Sequence, residues 1–481
     1  MSRSAHRFLS KKEQVAGMAV GAIAMLAMAV PALTQESSGK DEVFSLNTII
    51  GLNNTGIGNL PNGSKTFFSF DISWFNPGNG KFYLADRSNK TIDIFDTNTG
   101  LFTQVVNNGF QGFTGNNDGS GPDGVLDAND HKEIWVGDVG GKCFPLLSDG
   151  SLPPTCGPGQ VWVLDLDAQP IKGLPSNPIP VGGNSRADEM CYDSKDNLIM
   201  IASPAEDPPF VTFIDTKAHK VLNQLKFDGK SGNTPKATNG LEQCGWSPDT
   251  GLFYQNVPAI DGPPGQDTVD GGISVIDPKS VLSGSPTVAR TVKIPLADCA
   301  GPQGMAIGRN VILEGCNAAS PDTHRNTVIV NLQSLGVLSV FRDLGGADEV
   351  WFNPGDGHFF VPSCNTTCRT KNAGVEGIEH LGVIDSSGRK LDQIVDVAVQ
   401  TIPVNPATSG NPRTIHSVAA ASNTKQVFLP IPAVGGAAPQ FGSSLCDSSA
   451  EAKTIGTTPV SSATGCIAIL TTTNDDKPAE D

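Results

Sequence analysis

The 481-residue chain is poor in what long helices need. It carries 54 Gly and 35 Pro, and only 17% of its residues are charged. Gly and Pro are the residues least tolerated in helix interiors, whereas turns use both. The composition therefore excludes a helical bundle and predicts an all-β fold of many short strands. The marks of several enzyme chemistries are missing too. There is no G-x-S-x-G elbow, no HExxH zinc helix, no CxxCH haem site and no Walker loop. No CxxC pair exists, which disfavours a cysteine-held zinc. After Leu33 no apolar run is long enough to cross a bilayer.

Basic residues are scarce beyond the first turn of sequence. Arg3, Arg7, Lys11 and Lys12 precede an apolar, Ala/Gly-rich run from Val15 to Leu33, with small residues at Ala27–Ala29 and Val30–Ala32. This reads as a secretory signal peptide over residues 1–32, with a retained membrane anchor as the alternative. The expected location is secreted or periplasmic. Without the leader, 48 acids stand against 29 bases, a net charge of −19. Such a chain repels phosphate backbones, so nucleic acid is excluded as a partner. The plain consequence of the charge is solubility, and a monomer is expected.

Ten cysteines follow the leader. Export and an even count point to disulfides. Short-range pairing gives Cys143–Cys156, Cys299–Cys316, Cys364–Cys368 and Cys446–Cys466, leaving Cys191–Cys244, although spacing alone does not fix connectivity.

One phrase recurs. "ADEMCYD" begins at Ala187 and "ADEVWFN" at Ala347. In register, the Asp of each is followed 11 residues later by an apolar pair, Ile199-Met200 and Phe359-Phe360. The same spacing joins Asp71 to Phe82-Tyr83, Asp123 to Ile134-Trp135, Glu242 to Phe253-Tyr254 and His416 to Val427-Phe428. A shorter copy places Gln303 at the marked position. After each copy comes a β-branched run ending in a polar turn, such as "TIDIFDTNTG", "TFIDTKAH" and "GVIDSSG". A further strand usually follows. Seven units of about four strands describe a seven-bladed β-propeller, spanning 43–473, with a linker at 33–42 and a polar tail at 474–481. The seventh unit lacks its fourth strand, and "VFSLNTI" from Val43 is unassigned. The N-terminal strand is expected to complete the last blade and close the ring, since natural β proteins avoid open edges.

The marked residue precedes or starts the strand lining the channel. Asp71, Asp123, Asp188, Glu242, Gln303, Asp348 and His416 therefore converge at one end of the axis. Clustered carboxylates raise one another's pKa unless a cation neutralises them. Oxygen donors with one imidazole suit Ca2+, or Mg2+ and Mn2+ less well. The alternative is that each Asp staples the backbone of the neighbouring blade. Glu242, Gln303 and His416 depart from Asp, which a staple repeat does not require. Glu189 and Glu349, next to marked positions, are further channel-mouth candidates. Arg186 and Arg413 sit just before two marked positions, where they either pair with the ring or are ordinary surface arginines. The segment from Asn116 to Asp130 is rich in oxygen donors but lacks EF-hand spacing.

The blade phrase "KFYLADRSNKTIDIFDTNTG" resembles that of YVTN-type seven-bladed propellers, and the likeness spans Val43 to about Thr473. The wider group includes lactonase-like and gluconolactonase-like propellers and lyases of the virginiamycin B type. That resemblance implies a divalent metal held by some of Asp71, Asp123, Asp188, Glu242, Asp348 and His416. Two functions follow as expectations. One is a module that binds a small molecule or protein at its channel face. The other is a metal-dependent lactonase, esterase or lyase with Glu242 or His416 as general base.

Overall fold

Each of the first six copies of the repeat folds into an antiparallel sheet in which four strands lie side by side in chain order. In the computed structural model, blade 1 is Ser73–Asn76, Lys81–Asp86, Thr91–Asp96 and Leu101–Val106. Blade 3 (Met190–Asp193 to Lys220–Lys226) and blade 4 (Cys244–Ser247 to Val288–Ile294) repeat the pattern. Blade 2 runs from Val125–Ala128 to Ile179–Gly182, blade 5 from Pro302–Ile307 to Val337–Phe341, and blade 6 from Trp351–Asn353 to Leu391–Thr401. With the last blade there are seven sheets among the described residues, in the propeller arrangement. The structure describes residues 42–473 apart from 53–66, 318–324, 365–375, 402–414, 434–440 and a few shorter stretches.

The apolar pair eleven residues after each marked position sits in the second strand, where neighbouring side chains point to opposite faces. That geometry explains why the pair is kept. Phe82 packs with Phe428 of blade 7, while Tyr83 packs with Ile134 of blade 2. Phe253 joins the core shared with blade 3, and Tyr254 the core shared with blade 5. Phe359 and Phe360 do the same toward blades 5 and 7. Each pair thus binds its blade to both neighbours. Burying such a side chain contributes roughly 1.5–3 kcal/mol. Outer strands such as Leu101–Val106 and Lys220–Lys226 show alternating exposure, as strands with one solvated face should.

The ring closes as the sequence predicts. Val43–Ile50 pairs antiparallel with Cys466–Thr473, beside Val427–Ile431 and Ala419–Ala420. Phe44, Ile49 and Ile50 are buried. The Gln393 side chain of blade 6 donates to Phe44 O at 2.9 Å and accepts from Phe44 N at 2.8 Å. On the other side, Ser73 N donates to Ser417 Oγ at 2.9 Å, joining blades 1 and 7. Two additions were not legible in the repeat. Phe441–Ser444 extends blade 6 beyond Leu391–Thr401, and Lys453–Ile455 runs parallel to Thr48–Ile50.

Four disulfides match the expected pairs: Cys143–Cys156, Cys191–Cys244, Cys299–Cys316 and Cys446–Cys466. The expected Cys364–Cys368 bond lies outside the described residues. Cys191–Cys244 crosses between the inner strands of blades 3 and 4. These bonds fit an oxidising compartment. Among the described residues no helix is long and apolar enough to cross a membrane.

Removal of the closing strand should be severe. A chain starting at residue 51 is expected to aggregate and to lose its cooperative melt, because Cys466–Thr473 becomes an open edge. A chain starting at residue 42 should melt like the intact protein, which differential scanning calorimetry and gel filtration would check.

Candidate functional site

The marked residues stand just before or at the start of the inner strands, and their backbones continue each blade's ladder. Asp71 N donates to Ala85 O, Asp123 N to Gly137 O and Asp188 N to Ala202 O, each at 2.9 Å. The side chains of these three aspartates are thereby brought together. Close approach of the blades demands glycine at two places. A Cβ on Gly124 would stand 2.0 Å from Asp188 O, and one on Gly304 would stand 2.8 Å from Asp348 O. In blades 3 and 6 the position after the marked residue is instead a glutamate, Glu189 and Glu349.

The ring is divided in two. Blades 1 to 3 form a sealed half. Asp71, Asp123 and Asp188 are buried, and one ligand oxygen from each lies within 4.8 Å of the others. Two buried arginines fill the space beside these oxygens. The Arg87 guanidinium pairs with both Asp71 and Asp123, and Arg87 Nε donates to Asp123 Oδ1 at 2.8 Å. Arg87 Nη1 also donates to Asn117 Oδ1 at 2.7 Å. Arg186 Nη1 lies 2.6 Å from Asp188 Oδ2, 3.3 Å from Asp71 Oδ2 and 3.8 Å from Asp123 Oδ1. Of the two expectations for Arg186 the structure shows the pairing with the ring, and Arg413 lies outside the described residues. These carboxylates bond guanidinium groups, which is a different use from backbone staples.

Arg87 was not found from sequence. The register does mark it, however. Sixteen residues after the marked position stands Arg87 in blade 1, but Val139, Pro204, Pro258, Cys364 and Pro432 in blades 2, 3, 4, 6 and 7. A lone basic residue in an apolar or neutral column is a usable signal. The oxygen-rich segment near Asn116 also has a role, because Asn117 holds Arg87 and Asp118 O accepts from Arg186 N at 2.8 Å.

Burial sets the electrostatics. It would raise Asp71, but the Arg87 and Arg186 guanidiniums and His416 outweigh it and hold Asp71 below the ordinary range. Burial pushes Asp123 well up despite both arginines, and pushes Asp188 up to about 7 against Arg186.

Blades 4 to 7 form an open half. Glu242, Gln303, Asp348 and His416 are half-buried. Gln303 Nε2 donates to Glu242 Oε1 at 3.2 Å. The His416 ring stacks on Phe70 with centroids 4.2 Å apart, and its Nε2 lies 3.9 Å from Asp71 Oδ1. Glu189 and Glu349 are buried and hydrogen-bonded to each other. Burial raises Glu189, Glu242 and Glu349 well above the usual range, and neighbouring carboxylates push the same way. For Glu242 the opposing charge is Arg186. The expected ring is thus one neighbourhood, but its members differ. Among the described residues, the group close enough to converge on a single ion is Asp71, Asp123 and Asp188, without Glu242, Asp348 or His416.

No protein-family model matches the chain, and no curated protein sequence matches it. Solved structures resemble it in outline. The RRP9 WD40 repeats share 9% identity over 84% of this chain and 94% of that one, with a TM-score of 0.48. The U3-55K structure shares 10% over 84% and 96%, also at 0.48. A chain of a mitotic checkpoint complex shares 10% over 88% and 95%, at 0.46. The propeller assignment rests on the strand pairing described above.

Two predictions follow from the sealed half and the buried acids. Arg87→Met should cost about 3–5 kcal/mol, because it leaves buried carboxylates without their partner. Arg87→Met combined with Asp123→Asn should cost less than the single change, and urea unfolding would measure both. Stability should also fall as pH rises. Burial raises Asp86 and Asp138 to about 6 and Glu379 to about 8. Between the unfolded pKa near 4 and these values the folded state binds more protons, so the slope with pH is negative. Thermal melts should be higher at pH 5 than at pH 8.

Proposed function

We propose that the chain is an exported propeller of the YVTN-type, lactonase-like group that binds a small molecule or a protein partner at its channel mouth. The observation that carries this reading is the division of the axial ring. One half is internally neutralised and closed by Arg87 and Arg186, while the other presents Glu242, Gln303, Asp348 and His416 with part of their surface free. A site that is rigid on one side and accessible on the other suits ligand capture. The four disulfides support export.

The convergence of Asp71, Asp123 and Asp188 favours a second reading, a metal-dependent lactonase-, esterase- or lyase-like enzyme. Three carboxylates suit a hard cation such as Ca2+. A cation there would polarise a carbonyl or acidify a water. Glu242, raised by burial, would hold the proton taken from the substrate, or His416 would. The fit is partial, since the same oxygens already accept from both guanidiniums. We therefore rank binding above metal catalysis.

Metal analysis and melting with and without EDTA separate the two. The binding reading expects no stoichiometric metal and an unchanged melt. It also expects that ligands which raise the melting temperature of the native protein fail to do so with Asp348→Asn. A tightly held metal, with ester or lactone hydrolysis lost in Glu242→Gln and His416→Ala, would replace it with the enzyme.

A further inference from the structure

The packing face between blades 4 and 5 departs from its counterparts. The residue after the apolar pair of the second strand is Leu84, Val136, Ile201, Val361 and Leu429 in five blades. In blade 4 it is Gln255, opposite Cys244. In blade 5 the strand register puts Glu314 there, opposite Met305. Glu314 meets Asn256 of blade 4, and both residues are 0% exposed. A carboxyl in a column of Leu, Val and Ile is costly to bury unless its hydrogen bonds are met.

The amide of Asn256 fixes how the two groups meet. Its Nδ2 donates to Gln303 O at 2.8 Å, to Glu314 Oε2 at 2.6 Å and, more distantly, to Gly304 O at 3.4 Å. Backbone carbonyls accept and never donate, so they set which end of the amide is the nitrogen. The remaining oxygens, Asn256 Oδ1 and Glu314 Oε1, are both buried without a donor. A buried acceptor left unpaired is destabilising. One proton on Glu314 Oε1 supplies the missing donor and satisfies both atoms, as a carboxylic acid paired with a primary amide.

The surroundings favour that proton. The strands beside Glu314 in blade 5, Pro302–Ile307 and Thr327–Asn331, carry no charged residue, and neither does Leu252–Val257 of blade 4. The titratable group on that last strand is Tyr254, whose hydroxyl is engaged by Thr250 and Leu332. Arg325, buried just before Thr327–Asn331, is not among the influences on Glu314. Those are burial, which pushes its carboxyl well above the usual range, and the bond from Asn256, which opposes it. The joint bears on the axial ring, because Asn256 holds the main chain of Gln303, whose side chain donates to Glu242. We infer that Glu314 is a proton-held joint between blades 4 and 5: its O–H donates to Asn256 Oδ1, and loss of that proton to solvent frees Gln303. The joint does not depend on what the axial site takes.

The test is urea unfolding of the disulfide-bonded protein and of Glu314→Gln between pH 5 and pH 8. Glutamine keeps both bonds, donating to Asn256 Oδ1 and accepting from Nδ2, but does not ionise. An unfolded glutamate ionises near pH 4.3, whereas folded Glu314 holds its proton, so native stability is lost relative to the variant as pH rises. The ratio of the native unfolding constant to that of the variant should grow about tenfold per pH unit, until the folded carboxyl itself ionises. The other buried acids cancel in the ratio. Glu314→Met, which makes no hydrogen bond, should show the same growth, and it serves if Glu314→Gln does not fold. Hydrogen exchange reads the link to Gln303. Protection of Pro302–Ile307, corrected for the intrinsic rate, should fall with pH in the native protein and stay level in Glu314→Gln. A ratio constant with pH against both variants overturns the proton assignment. Protection that falls equally in native protein and variant overturns the coupling to Gln303.

Discussion

The pairing of Val43–Ile50 with Cys466–Thr473 is the joint on which the axis depends. A propeller has no core of its own around the channel. Each blade is held by apolar contact with its two neighbours, so one open seam would relax the positions of all seven inner strands. Closure fixes the circle on which Asp71, Asp123, Asp188, Glu242, Gln303, Asp348 and His416 stand. Only then do the distances among those side chains become chemical constraints. The two chain ends share one blade, and Gln393 and Ser417 bond that blade to its neighbours, so the joint is reinforced on both sides.

Crowded acids at the axis are answered by two different means. Blades 1 to 3 supply guanidinium groups from within the chain. Blades 4 to 7 leave the carboxyls to share protons and to meet whatever enters the mouth. The same residue type at the same repeat position thus meets guanidinium groups on one side and other acids on the other. Burial cost is what separates them, since a buried carboxylate without a cation is held neutral.

Much of the fold was legible in the sequence because the repeat encodes contacts that every blade must make. The pair eleven residues after the marked position is visible as a pattern because Phe82 and Tyr83, or Phe253 and Tyr254, must face opposite neighbours. The missing fourth strand of the last unit was likewise visible, and so were four cysteine pairings. The division of the site was not. It depends on Arg87, a single departure from the repeat, and departures carry no periodicity to reveal them. The burial of Glu189 and Glu349 was hidden for a related reason. It requires glycine at the same repeat position of the preceding blades, Gly124 and Gly304, and that relation exists only between sheets.

The closing strand also orders the chain in time. Val43–Ile50 is among the first segments to be made and has no sheet to join until Cys466–Thr473, one of the last, has been made. Six blades can assemble while it waits. The ring closes at the last step, so a chain cut short before Cys466–Thr473 presents neither a closed ring nor a finished axis.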